Sequence, residues 1–335
     1  MSVDVNHATA ADGTRIWYDV HGAGEPLVLI HGQSLDHEMW DGVYEDLAER
    51  HRVVRVDLRG TGGSDAPLDR PYSMELLARD VLAVLDDLGV GRAHVYGFSM
   101  GGKVAQTLAA IAPERVGALV LGSTAPGGEH EVERPRHASL ALRKASGDEG
   151  RGLIGPLFYT PDWAREHPET VTRVLPRNPL RAQRRHYEAS LRHDGWDLLP
   201  LIQAPTLVVH GEDDELTPVG NAELLAERIT GAELLVLPGA RHGYLHEAAP
   251  KATEAVLAFL DAHPWSPGRC EGHPGSLFRC ACMRALTDSW VGSRPRMRSA
   301  AIMRRLSPCV GSLSDEVMSM TRSIASSSLS SSCTF

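Results

Sequence analysis

Residues Tyr96 to Gly102 read YGFSMGG, with Ser99 between Gly97 and Gly101. The run before it, His94 to Phe98, is short and apolar and reads as a strand; Met100 to Ile111 reads as a helix that Pro113 helps to stop. A serine on such a strand-to-helix turn fits a nucleophile elbow, where small flanking residues relieve crowding. Glycine and serine are common, so an ordinary turn matches the same pattern and the neighbouring segments have to decide.

Working outward, Thr14 to Val20 reads as an early edge strand or hairpin arm. The run LVLI at 27 to 30 lacks alternation, as in a strand buried on both faces, and leads into HGQS at 31 to 34. Leu35 to Arg50 carries apolar residues at helical spacing. Arg52 to Asp57 is the next strand, followed by a loop with Gly60, Gly62 and Gly63. Those glycines do not follow GxGxxG spacing and argue against a dinucleotide site. Arg59 and Asp65 are expected to fix that loop through local polar bonds.

Leu76, Leu77, Val81, Val84, Leu85 and Leu88 give Tyr72 to Leu88 a helical period. Val116 to Leu121 is another strand. Strands alternating with helices of this length predict an α/β fold with a mostly parallel sheet. From 126 to 199 the rhythm is lost among arginines, histidines, prolines and aromatics, with short helices expected at Leu140 to Leu153, Pro161 to Glu166 and Pro179 to Arg192. Strands return at Pro205 to His210 and Ala232 to Leu237, with helices at Val219 to Ile229 and Glu247 to Leu260. We therefore expect one core, residues 1–125 and 200–263, interrupted by a small helical cap at 126–199. Phe158, Tyr159, Trp163, Tyr187 and Trp196 in that insert either line an apolar pocket or form its own packing.

The chain has 335 residues and a formal charge of -9. Residues 1–263 hold 25 Lys/Arg against 39 Asp/Glu, while 264–335 hold 9 against 4. So acidic a body argues against nucleic-acid binding. All five cysteines fall in the tail, which excludes a cysteine nucleophile or a disulfide framework in the body. The tail also has 16 serines and reads as low-order. Cys270, His273, Cys280 and Cys282 depart from paired-cysteine metal spacing, so no metal is expected. A weak helix is conceivable at Met297 to Leu306. The start MSVDVNHATA has neither a basic beginning nor an apolar stretch, and no run reaches ~18 apolar residues, so a cytoplasmic protein without membrane contact is expected.

A serine hydroxyl needs a base to take its proton. His242, in PGARHGYLHE after the final strand, is the candidate, with His246 as competitor at the start of the last helix. The base needs an acid to hold its tautomer. Asp214 in GEDDELTP fits, with Asp213 beside it. Each follows a predicted strand, and the order Ser99, Asp214, His242 matches one particular hydrolase sheet. Backbone N–H groups of Met100 and Gln33 are placed to face a developing oxyanion. His31 is better suited to holding the Gln33 loop.

HGQSLDHEMW, DLRGTGGSD, GFSMGG, GEDDELTP and GARHG together resemble the α/β-hydrolase superfamily, in its small esterase, enol-lactonase and cofactor-free haloperoxidase-like branch, over about residues 14 to 262. The resemblance implies Ser99 as nucleophile, Asp214 and His242 as its partners, and the amides of Gln33 and Met100 as oxyanion donors. It implies no cofactor and a small ester or lactone as substrate. Epoxide hydrolases and dehalogenases of this superfamily carry aspartate at the elbow, unlike Ser99. Carbon–carbon bond hydrolysis, perhydrolysis and a binding scaffold with an unused triad stay open. Arg134, Arg136, Arg143 and Arg184 are either anion contacts or solvated charges. Oligomeric state is not legible.

Overall fold

The computed structural model describes residues 4–144, 148–175 and 177–264. The tail, with its cysteines and the segment 297–306, lies outside the described residues.

Eight strands form one sheet: β1 (Asp4–Thr9), β2 (Arg15–His21), β3 (Glu25–Ile30), β4 (His51–Val56), β5 (Ala93–Phe98), β6 (Val116–Gly122), β7 (Thr206–Gly211) and β8 (Glu233–Leu237). Their spatial order is β1-β2-β4-β3-β5-β6-β7-β8. The β1–β2 and β2–β4 pairings are antiparallel and the rest are parallel. Every residue of β5, β6 and β7 is buried, as unalternating apolar runs require when both faces are covered.

Helices α2 (Met74–Asp87) and α3 (Met100–Ile111) pack one face of the sheet. Ser73 caps α2 by accepting from Leu76 N–H at 3.1 Å. The opposite face is covered by α1 (Tyr44–Ala48) and α11 (Ala249–Ala262). Between β6 and β7 run α4 (Arg136–Lys144), α5 (Asp148–Phe158), α6 (Pro161–Glu166), α7 (Pro168–Arg173) and α8 (Leu180–Arg192). Their neck is pinched where Gly195 N–H donates to Pro126 O and Gly128 N–H to His193 O, at 2.8 and 3.0 Å. Ala138, Ala141, Ile154 and Leu157 extend the core of the second face into this insert. After β7 and β8 come α9 (Gly220–Arg228) and the short α10 (Tyr244–Glu247).

Three expectations need correction. The edge strand β1 is additional; its buried position near the turn is Ala8, and the buried residue just past its end is Ala10, so small side chains carry little periodic signal there. Leu35 to Arg50 is not one helix but a 3-10 turn (His37–Trp40) and α1, parted at Gly42, where φ is 83°. The helix expected at Leu140 to Leu153 is two helices, α4 and α5, and α7 was not anticipated.

Arg59 and Asp65 reach further than local bonds. The Arg59 guanidinium is fully buried, donating to Asp80 of α2 at 2.5 and 2.6 Å and to Asp12 of the β1–β2 turn at 2.8 Å. Asp65 accepts from both the backbone and the side chain of Arg15 on β2.

Candidate active site

The parallel strands all end at one edge of the sheet, and their following loops carry the polar residues singled out above. At the end of β5, Ser99 has φ 55° and ψ -119°, a region costly for any residue with a Cβ. The surroundings hold it there: Ser99 N–H donates to Gly122 O at 2.8 Å, and Thr124 Oγ1 donates to Ser99 O at 2.7 Å. The flanking glycines answer to crowding. A Cβ on Gly97 would overlap Gly101 O and Ala105, and one on Gly101 would overlap the carbonyl oxygens of Ile30 and His31.

His242 follows β8, with Nε2 3.1 Å from Ser99 Oγ and Nδ1 2.7 Å from Asp214 Oδ2. The carboxylate must accept, so Nδ1 carries the proton and Nε2 is left to accept from the serine. Ser123 Oγ donates to His242 O at 3.1 Å, steadying the histidine loop. The other oxygen of Asp214 accepts from Leu216 and Thr217 N–H at 2.9 and 2.8 Å. His210 Nε2 donates to Thr217 O at 2.7 Å and lies 3.3 Å from Asp214 Oδ2. Burial opposes the charge on Asp214, but His242, His210 and these bonds hold its carboxyl well below the usual range. The alternatives lie elsewhere. His246 Nδ1 bonds Tyr159 OH at 2.8 Å, and Asp213 is exposed.

Gln33 and Met100 flank Ser99 on the same cavity. Among the described residues neither backbone N–H has a protein acceptor. Met100 opens α3, so its amide also sits at the positive end of the helix dipole. Gly32 lets the loop come close: a Cβ there would lie 3.4 Å from Ser99 Cβ. The His31 ring fixes that loop, with Nδ1 donating to Gly32 O at 2.8 Å and Nε2 accepting from Leu58 N–H at 3.0 Å.

The insert clamps the same loop from above. Fully buried His186 of α8 accepts from Ser34 N–H at Nδ1 (3.2 Å) and donates from Nε2 to Arg59 O (2.9 Å). Asn178 donates to Ser34 O at 3.0 Å and accepts from Gly62 N–H at 2.9 Å. Burial pushes His186 down to about 4, outweighing the bond to Arg59 O. Unfolded, the ring takes a proton near pH 6.5. Its contribution to stability is thus complete above pH 6.5 and is lost as the pH falls from 6.5 towards 4. Urea midpoints of wild type and His186→Asn at pH 7.0, 5.5 and 4.5 check this: their difference is expected to shrink on acidification, and a constant difference would count against the clamp.

The cavity over Ser99 has a volume of about 560 Å³. Of the aromatics in the insert, Phe158 and Tyr187 line it. Tyr159 and Trp163 stack on each other, and Trp196 stacks on His130. Arg134, Arg143 and Arg184 line it as well; Arg136 is not among the lining residues. Sequence reasoning missed Lys103, a buried lysine on the wall one turn after Ser99, and its partner Glu131. A lysine in the otherwise small and apolar flank of GFSMGGKVA was the available signal. His186 had none, since one histidine among the arginines of α8 looks like surface.

The family model for the alpha/beta hydrolase fold matches residues 25–249. A protein of Azorhizobium caulinodans with the provisional name carbamate hydrolase RutD is 32% identical over 250 residues, covering 73% of this chain and 94% of its own. A 2-hydroxy-6-oxononadienedioate/2-hydroxy-6-oxononatrienedioate hydrolase of Burkholderia vietnamiensis is 30% identical, covering 74% and 92%. Among solved structures, an enol-lactonase from Burkholderia xenovorans superposes with a TM-score of 0.68 at 29% identity, covering 76% and 100%.

Proposed function

The chain belongs to the α/β-hydrolase family, and from that premise we propose that it is a serine hydrolase cleaving a small carboxylic ester or lactone. The observation that carries this reading is the continuous hydrogen-bond chain from Ser99 Oγ through His242 to Asp214, opening onto a cavity beside two free amides.

In this reading His242 Nε2 takes the proton from Ser99 as Oγ attacks the carbonyl carbon. Charge builds on the carbonyl oxygen, where the amides of Gln33 and Met100 stabilise it. Asp214 supports the imidazolium that forms. His242 then gives its proton to the departing alkoxide, leaving an acyl group on Ser99. Water enters, His242 takes its proton, and the acid departs with Ser99 restored. A cavity of about 560 Å³ suits a small molecule rather than a polymer. Among the described residues no helix is long and apolar enough to cross a membrane.

A second reading is hydrolysis of a carbon–carbon bond. It is favoured by the relative that acts on a 2-hydroxy-6-oxononadienedioate, a name that contains no ester.

Fluorophosphonate labelling of wild type and Ser99→Ala, with turnover of small esters, lactones and a vinylogous diketone on the same preparations, tests both. Labelling and ester or lactone turnover that both require Ser99 are expected. Turnover of the diketone alone selects the second reading. Neither label nor turnover in folded wild type would reject both and leave a ligand-binding scaffold.

A further inference from the structure

The lining of the cavity is unusual for a protein whose body is strongly acidic. Its charged lining residues are Lys103, Arg134, Arg143, Arg184 and a single carboxylate, Glu131. Arg184 is satisfied outside the cavity by Glu188, at 2.8 Å. Lys103 is different, being only 6% exposed. Its Nζ lies 2.9 Å from Glu131 Oε2, and the other oxygen of the same carboxylate lies 3.6 Å from Arg134 Nη2. Two cations therefore share one anion on the wall of a cavity. Arg143 adds a third positive charge with no ion-pair partner among the described residues.

Removing an ammonium from water is costly unless it is paired and hydrogen-bonded. An ammonium has three donors, and Glu131 takes one. Desolvation, with a smaller push from Arg134, holds the Lys103 pKa below the usual lysine value, and Glu131 offsets only part of that. An anion entering the cavity would complete the pairing. Lys103 follows Ser99 by four residues, in the first turn of α3, and both line the same cavity. The remaining wall includes the apolar side chains Leu142, Ile154, Phe158 and Val174.

We propose that the substrate is an ester or lactone bearing a carboxylate a few bonds from the scissile carbonyl, and that Lys103, with Arg134, selects it. This rests on the reading of Ser99 as nucleophile. Lys103 is a specificity residue here: it meets the part of the substrate that does not react.

The test uses the full chain and two esters with the same leaving group, mono-4-nitrophenyl glutarate and 4-nitrophenyl pentanoate, with the succinate and adipate half-esters to vary reach. Wild type is expected to favour one of the half-esters by about ten- to a hundredfold in kcat/KM, the range of a charge-assisted hydrogen bond. The preference should reside mainly in KM and weaken with added salt. Lys103→Met should lower the preference at least tenfold. Glu131→Gln, by freeing both cations, should raise it, a gain that damage to the fold does not produce. Equilibrium binding of the glutarate dianion to Ser99→Ala, and its loss in Ser99→Ala/Lys103→Met, supplies a readout independent of turnover.

Ser99-dependent turnover of both ester types without preference, or equal losses on both in Lys103→Met, overturns the anion site and leaves the hydrolase reading intact. No turnover of either, with glutarate bound through Lys103, overturns the hydrolase reading and keeps the anion site. Absence of glutarate binding for every chain length, together with no preference, removes the proposal.

Discussion

Ser99→Ala is expected to lower kcat/KM by about a millionfold on any ester the protein hydrolyses, with the fold retained. A loss of that size follows when the atom that attacks is absent and the rest of the chain of groups has nothing to act on. Folding should survive because among the described residues Ser99 Oγ bonds only His242, and alanine keeps the Cβ in the same strained backbone. Asp214→Asn should cost about ten-thousandfold by another route. The oxygen accepting from Leu216 and Thr217 has to remain an oxygen, so the new amide nitrogen must face His242 and His210. The proton then moves to Nε2 of His242, which can no longer receive one from Ser99. Steady-state kinetics on the most reactive ester of the panel, with circular dichroism as the check on folding, measures both. Activity within a hundredfold of wild type in Ser99→Ala would remove Ser99 as nucleophile.

The largest expected change in stability is at Arg59. Alanine there leaves Asp80, 1% exposed, as a buried carboxylate without its cation, a change that typically costs about 3–5 kcal/mol. At the scaling of a domain this size the melting temperature should fall by roughly 10 °C. The double variant Arg59→Met/Asp80→Leu separates the penalty of a stranded charge from the worth of the pair. It should recover much of the loss, because an apolar pair of similar volume is often neutral in such a place. Thermal melts and urea midpoints of the three proteins decide it. An unchanged melting temperature in Arg59→Ala would show that the guanidinium does not hold the loop. Asp65→Ala should matter far less, since its partner Arg15 is 61% exposed on the side chain and water screens the pair. The consequence reaches the cavity: Arg59 O is the acceptor for His186, whose other nitrogen holds Ser34 beside Gln33.

The parts legible without coordinates are those set by local chemistry. Unalternating apolar runs such as LVLI and TLVVHG required a sheet covered on both faces, and the helical period of α2 fixed its buried side. GFSMGG, GEDDELTP and GARHG each followed such a run, so strand ends alone were enough to bring Ser99, Asp214 and His242 to a common edge. β1 escaped notice because the buried residues at its end near the turn, Ala8 and the following Ala10, are small, and the helix expected after Leu35 was broken by a single glycine whose φ is positive.

What only the tertiary structure decided is whatever depends on contacts between residues far apart in the chain. Asp214 and Asp213 are equivalent in sequence; one is buried against two amides and two histidines, and its neighbour is in water. His186 is 152 residues from Ser34 and becomes a clamp only when α8 lies across the loop. Lys103 reads as a surface charge until its turn of α3 is buried against Glu131 on a cavity wall. The physical reason is common to all three: a polar side chain's role is set by desolvation and by the partners within reach, and neither is a property of its own stretch of chain.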